Sequence, residues 1–479
     1  MQPSWNELFF EGSLPEKRLR ERAIEIAEAM TERPGVSMTA AFDDANDVRA
    51  AYDFFKNKRM TLPVLLDPAL RTVMFGLREL GSDETVLCVQ DTTELNHSHR
   101  HAMTGLGTLG NPKNRGEFLH PALAISTEGV PLGLLNAMTW IRPVEERGKA
   151  QQRKERAFED KESARWWVTI ENVEERLQRP GLLLHVTDRE GDIFELFHRA
   201  QQEQKRLLIR ASQDRRVEGE HRLLWAQAES FPVCEQQRTI DVPERPATKG
   251  KPKRSARTAT LTLGSGQVTL QAPRGCKGSV RAWAILVREL ETPPGEEPIE
   301  WLLLTFDPIT SFDEAWRHVD WYRFRWIIEE FFKVLKTGLK VEKRQFNDIK
   351  PFEVSLGMSL LVAVRLLALT KQARIDPEQP ASTALSPDEE RVLVEHAHVK
   401  RGRSSSSPLT MLEAVVLIAK LGGYLGRSCD GPPGWITLWR GYTRLCAMVE
   451  GYRLAQPQGS NTSWPKDRVG NSASSKAKA

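Results

Sequence analysis

The period of hydrophobic and polar positions changes several times along the chain, and each change marks a different kind of element. Over the first seventy residues the spacing is helical. Arg18, Arg20 and Arg22 lead into Ile24, Ile26, Ala27 and Met30, a basic start beside an apolar stripe. A second helix is expected over Asp47–Asn57, followed by Lys58 and Arg59. From about residue 84 short, nearly continuous apolar runs take over. Thr85–Asp91 reads as a buried central strand, and Pro121–Ser126 and Pro131–Ile141 as two more across the Glu128-Gly129 turn. An amphipathic helix over Lys161–Leu177 precedes another buried strand, Gly181–Asp188, then a helix over Ile193–Gln204 and a strand over Arg206–Arg210.

Three strands, helix, strand, helix, strand, with acidic residues ending the first and fourth strands, is the order of a ribonuclease-H-like domain. The expected fold class is therefore α/β: a ribonuclease-H-like mixed sheet with a β-rich insert, flanked by N-terminal and C-terminal helical regions. The insert is read at about 212–306, where short alternating runs (Thr239–Val242, Thr258–Leu263, Gln267–Leu270, Val280–Val287) are separated by Gly and Pro. Its Lys249, Lys251, Lys253, Arg254 and Arg257 suit a DNA-touching hairpin tip and a solvated loop about equally. Beyond 372 helices return. Ser386-Pro387-Asp388-Glu389 is a helix start, Thr410 with Glu413 a capping box, Gly422-Gly423 a stop, and Trp435–Glu450 one more helix. Lys400-Arg401-Gly402-Arg403 before four serines reads as a linker, and the Ser-, Asn- and Lys-rich stretch over 456–479 as a disordered tail.

A chain of 479 residues needs two to four domains. Its net charge of +4 is too small to establish a nucleic-acid partner, so the position of charge matters more than its sum. Five scattered cysteines without a C-x-x-C pair argue against a disulfide framework or a zinc ribbon and suit a reducing cytosol. The N-terminal segment has no basic-then-apolar secretory pattern. The most apolar run, Leu356–Leu369, contains Ser359 and Arg365 and is short for a membrane span. A soluble, cytoplasmic protein with no membrane partner is expected.

The chemistry concentrates in Asp320–Lys336. Taken as one helix, this segment puts Tyr322, Arg325, Glu329 and Lys336 on a polar stripe about 60° wide. Ile327, Ile328, Phe331, Phe332, Val334 and Leu335 fall on the opposite, core-facing side. Such a stripe also suits a solvated face. Carboxylates at the ends of two buried strands, however, are costly unless a cation lies between them, and Asp and Glu oxygens are the hard ligands that Mg²⁺ or Mn²⁺ takes. Arg325 and Lys336 would then meet phosphates.

Gln90-Asp91-Thr92-Thr93, Thr187-Asp188-Arg189-Glu190-Gly191-Asp192 and Tyr322-x2-Arg325-x3-Glu329-x6-Lys336 together resemble the bacterial insertion-sequence transposases of the DDE superfamily, in their Tyr-Arg-Glu-Lys branch. Each motif alone is weak; the three in order around a β insert are strong. The resemblance implies a cut-and-paste transposase whose catalytic carboxylates Asp91, Asp188 and Glu329 hold two Mg²⁺ ions, with Mn²⁺ able to substitute. It implies that Tyr322, Arg325, Lys333 and Lys336 hold phosphates, that Trp301 stacks on a flipped base as the DNA end bends into a hairpin, and that Arg210 touches DNA. Arg18, Arg22 and Lys56 would contact the terminal inverted repeats. The implied partners are double-stranded DNA (transposon ends and target) and a second copy of the chain in a synaptic complex, nucleoid-associated when bound. The domains follow as 1–70, N-terminal helical and DNA-binding; 71–371, catalytic; and 372–455, C-terminal helical and dimerising. The β-insert loop and the N-terminal basic cluster match the family in character only.

Other features read more plainly. His97-Ser98-His99-Arg100-His101 lacks further ligands at zinc spacing and reads as a polar loop. Gly105-x-Gly107-x-x-Gly110 has no following helix start, so it does not read as a dinucleotide fingerprint. Trp166, Trp167, Trp316, Trp435 and Trp439 are expected mostly in the core. Two rivals stand beside the transposase: a ribonuclease-H-like nuclease that cuts without joining, and an inactive DNA-binding descendant. The intact set of carboxylates argues against the second.

Overall fold

The structure, a computed structural model, describes residues 5–143, 156–242, 244, 247, 253–383, 385–401, 408–427 and 433–455. Gly402 to Ser407 of the expected linker, the tail beyond 455, and Lys249 and Lys251 lie outside the described residues. Continuous apolar runs need cover on both faces, and they build the centre. Strands β1 (Val86–Gln90) and β6 (Leu183–Thr187) are buried along their whole lengths and pair in parallel. Around them lie β4 (Arg115–Ile125), antiparallel to β1, then β5 (Pro131–Trp140) outside β4, and β7 (Arg206–Arg210) parallel to β6. This is the ribonuclease-H-like core. The amphipathic helix read at Lys161–Leu177 starts slightly later, at Arg165–Leu177, after two short 3₁₀ turns.

Two short strands were not anticipated: β2 (Thr93–Asn96) and β3 (Gly107–Thr108), both on β4. β4 begins at Arg115 rather than Pro121. β1 and β2 pair with it in one unbroken register, Gln90 against Ala122 and Thr93 against Leu119. The gap between them falls at Asp91, whose N–H reaches the Pro121 carbonyl at 3.4 Å. Pro121 has no N–H to return, so the ladder opens at that residue.

The β insert extends the same sheet. Strands β8 (Arg238–Val242), β9 (Arg257–Gln271), β10 (Ser279–Glu289) and β11 (Glu300–Thr305) continue outward from β7 in the order β7-β11-β10-β9-β8. The sheet has eleven strands among the described residues. Thr258–Leu263 and Gln267–Leu270, read as separate runs, are one strand. Gly264 and Gly266 mark no turn; a Cβ at Gly266 would fall 2.5 Å from the Phe231 ring, so the glycine lets that ring cover the strand. Arg257 is no loop-tip residue either. It pairs with Glu289 at 2.8 Å and Glu296 at 3.4 Å, mostly out of solvent, and Lys253 pairs with Glu244 at 3.1 Å.

Helices flank the sheet at both ends of the chain. Lys17–Glu32, Ala45–Lys56 and Leu62–Arg78 pack on a long helix, Ile349–Ile375. Its stretch Ile349–Ala368 exceeds the apolar run read from sequence and is long and apolar enough to cross a membrane on those grounds alone. Most of it is buried as the hub joining the N-terminal helices to β5. The expected domain boundaries at 70 and 371 both fall inside helices. Further on, Pro387–Arg401 starts with the Ser386 and Glu389 exchange of a capping box, Met411–Leu421 with that of Thr410 and Glu413, and Trp435–Ala455 closes the described chain.

Candidate active site

Strand alternation puts Leu87, Val89 and Asp91 on one face of the sheet, and Leu184, Val186 and Asp188 on the same face of the neighbouring strand. That face is covered by the core containing Ile327, Ile328 and Phe331. Asp91 is 8% exposed and accepts the Thr92 N–H at 2.7 Å. Asp188 caps the turn that follows it, accepting the Glu190 N–H at 2.8 Å. The turn stays tight because Gly191 has no side chain: a Cβ there would sit 2.2 Å from the Thr187 hydroxyl.

The third carboxylate comes from a helix that is not continuous. Phe312–Arg323, capped by Ser311, ends before Trp326–Lys333 begins, and Val334–Gly338 is a π turn. At the break Arg325 N–H bonds to Tyr322, and Ile327 N–H to Phe324, a tighter spacing than the α-helix. The even angular step used to read the stripe therefore fails at both ends. Its inner part survives: Arg325 bonds Asp91 at 3.1 Å and Glu329 at 3.3 Å, joining strand and helix. All six residues of the expected apolar back are buried.

The charges respond to this crowding. Burial, then the charge of Asp188, pushes the Asp91 carboxyl up to about 7; Arg325 and the Thr92 N–H resist this, and Glu329 adds to it. Burial opposes the charge of Arg325, but Tyr322, Asp91, Glu329 and Asp188 outweigh it and raise its pKa. Tyr322 is buried, and its hydroxyl pKa is raised by that burial. The Trp301 ring meets the Tyr322 ring edge-on at 5.9 Å, and the Arg210 guanidinium lies 6.0 Å from the Trp301 ring centre. So Trp301, Arg210, Tyr322, Arg325, Asp91, Asp188 and Glu329 form one cluster.

Lys336 stands apart from it. It lies in the π turn, lowered in pKa by burial and supported electrostatically by Glu342 and Glu94. Lys333 is exposed and lies 5.8 Å from the Trp326 ring. Trp326 itself is 55% exposed beside Arg325, an aromatic the sequence reading passed over. Of the N-terminal residues, Arg18 and Lys56 are exposed. Arg22 pairs with Glu25 at 2.7 Å and Asp47 at 3.1 Å, tying two helices together. His97 is buried edge-on against Phe352, its pKa pulled down to about 4 chiefly by burial. Trp166, Trp167 and Trp316 are core; Trp439 is partly buried, and the Trp435 side chain lies outside the described residues.

Among the described residues no three carboxylate, imidazole or thiol groups converge on one point at metal-ligating distance. Arg325 is the local cation between Asp91 and Glu329. The donor chemistry still suits a hard divalent ion. The candidate donor atoms are all carboxylate oxygens, and a cation would offset the Asp188 repulsion that adds to burial in lifting Asp91.

Two family models match the chain. Residues 3–60 match a transposase DNA-binding domain and residues 361–462 match the transposase Tn5 dimerisation domain. The first covers the helices that carry Arg18, Arg22 and Lys56, and the second begins inside the long helix Ile349–Ile375. Together with the mixed sheet between them, the two matches support a Tn5-like transposase that binds DNA and forms dimers.

Proposed function

We propose that the chain is a cut-and-paste DNA transposase of the DDE type, in the Tyr-Arg-Glu-Lys branch. It would cleave transposon ends through a DNA hairpin and join them to target DNA as a homodimer. Asp91, Asp188 and Glu329 would hold two Mg²⁺ or Mn²⁺ ions. The ions would supply charge stabilisation and activation of oxygen nucleophiles at phosphorus. The observation that carries the reading is the meeting of two adjacent strand ends with Glu329 through Arg325.

The chain's own groups have separable tasks. Arg325 offers a fork of donors that can pass from carboxylate to phosphate, since both accept it bidentately. Tyr322 and Arg210 add a phenol and a second cation on the same side. Trp301 would offer its ring face to an unstacked base, with stacking worth roughly 1–3 kcal/mol. Lys333 and Lys336 would serve DNA further along the helix, and Arg18, Arg22 and Lys56 the terminal repeats.

Asp188→Ala tests this reading. The variant should bind end-bearing DNA as the wild type does and lose Mg²⁺-dependent cleavage entirely; retained cleavage would refute the assignment. Incubation with end DNA and target DNA should give joined product from the wild type. Cutting without joining would make the chain a nuclease instead.

A further inference from the structure

The opened ladder at Asp91 leaves the site with a structural problem. A strand that must hold a carboxylate in place has lost a cross-strand bond at that carboxylate, because Pro121 cannot donate. The neighbouring side chains compensate. His120, beside Pro121, bonds both residues that flank Asp91: its Nε2 lies 3.0 Å from the Gln90 side-chain oxygen and its Nδ1 2.9 Å from the Thr92 hydroxyl. These partners assign Nε2–H as donor to Gln90 and leave Nδ1 to accept from Thr92.

The Thr92 oxygen also accepts from Arg165 Nε at 2.8 Å. The same guanidinium donates to Glu190 at 2.7 Å and to the Glu162 carbonyl at 3.0 Å. It is boxed by Trp140 and Trp166, with ring centres at 5.5 and 5.3 Å. Glu190 is the residue whose N–H the Asp188 carboxylate caps. One planar cation therefore reaches the residue after Asp91 on one side and the turn bearing Asp188 on the other. Asp91 and Asp188 both lie within its electrostatic reach, while burial works against its charge.

We propose that Arg165 is a positioning residue which fixes the spacing of Asp91 and Asp188 by bridging the two segments that carry them. It rests on the metal-site reading above. All three of its nitrogens donate within the protein, so its effect passes through Thr92 and Glu190. A lysine could not replace it, because a single ammonium cannot span both partners in a fixed plane.

The test is Mn²⁺ binding by the full chain, followed as loss of the free-ion electron paramagnetic resonance signal, alongside Mn²⁺-dependent nicking of supercoiled plasmid. Arg165→Met keeps bulk between the two tryptophans while removing the bridge. Mn²⁺ affinity should fall about 10–100-fold, as for loss of other groups that orient metal ligands. The nicking midpoint in Mn²⁺ should move with it, and Arg165→Lys should not restore either. Glu190→Gln alters only a largely exposed carboxylate and should give a smaller loss in the same direction. Affinity within twofold of wild type in both variants would overturn the proposal. So would a loss in Arg165→Met that Glu190→Gln and Thr92→Val do not share, because packing alone would then explain it. If Arg165→Met fails to fold, Glu190→Gln decides. Asp188→Ala separates the two readings: wild-type Mn²⁺ affinity in that variant sinks the metal site itself, whereas its loss beside an unaffected Arg165→Met sinks only the bridge.

Discussion

The Thr187–Asp192 motif ends on an acid that serves the site from behind. The Asp192 side chain has no solvent exposure and accepts Arg215 Nε at 2.9 Å and Nη2 at 2.6 Å. Its other oxygen accepts the Ser212 N–H at 2.7 Å, the Gln213 N–H at 2.8 Å and the Ser212 hydroxyl at 3.1 Å. The segment after β7 is thereby tied to the Asp188 turn. Asp192→Asn removes the counter-ion of a guanidinium whose side chain is only 7% exposed, and turns an NH₂ group toward N–H donors. Removing one partner of a buried pair costs about 3–5 kcal/mol, because the other charge is stranded. A whole-chain unfolding midpoint is ill defined for a protein of several domains, so the readout should be local. Native-state hydrogen exchange at Ser212 and Gln213 should accelerate roughly 10²–10⁴-fold, at about 1.4 kcal/mol per decade. Replacing both partners by apolar residues, Asp192→Leu with Arg215→Met, should recover much of the protection. Exchange within threefold of wild type in Asp192→Asn would refute the claim that this acid anchors the turn.

Three further outcomes follow from other charges. Arg325→Met removes the cation between Asp91 and Glu329, so the DNA-free protein should bind Mn²⁺ more tightly than wild type by calorimetry; unchanged or weaker binding contradicts the counter-ion role. Glu117 is fully buried on β4, and burial, then Glu353, raises its pKa well above 4.5. The folded state keeps a proton that the unfolded state releases. Stability should therefore fall as pH rises above about 4.5, by up to ~1.4 kcal/mol per pH unit. Glu117→Gln should flatten that slope in the native-state hydrogen-exchange protection of β4 between pH 5 and 8, after correction for the intrinsic pH dependence of exchange, and an unaltered slope counts against it. Arg18→Ala with Lys56→Ala should lower the salt dependence of DNA binding by about two phosphate contacts, close to 0.9 in slope for each.

The parts legible in the sequence are those where residue type and periodicity coincide. β1 and β6 could be read because continuous apolar runs of strand length need cover on both faces, and the buried side of Trp326–Leu335 because its apolar positions repeat at helical spacing. The helix break at Phe324 carries no such mark: neither Pro nor Gly stands there. It forms where the Phe324 ring lies against Gly129, in the turn between β4 and β5; a Cβ at that glycine would sit 2.6 Å from the ring. The opening at Asp91 was equally hidden. It depends on Pro121 standing opposite, and register across thirty residues is a tertiary fact.

Basic residues show the same limit from the side of function. Arg22 and Arg257 both stand in segments whose charge suits DNA, yet each is held in an internal pair. Arg165, by contrast, has no basic cluster around it and falls within an ordinary amphipathic helix in the sequence, yet it stands between the two strand-end carboxylate segments. A guanidinium near neutral pH is charged wherever it sits, so composition reports its charge and says nothing of its partner. The partner is set by which carboxylate the fold brings within about 3 Å, and an arginine already held that way must give up a bond before it can meet a phosphate. That exchange is a real cost for Arg325, with two carboxylates to leave, and a small one for Lys333, which is exposed and gives up only the Trp326 ring. Among the cations of this site, DNA affinity should therefore owe more to the exposed lysine than its distance from the carboxylates suggests, while Arg325 contributes where its release also frees Asp91 and Glu329.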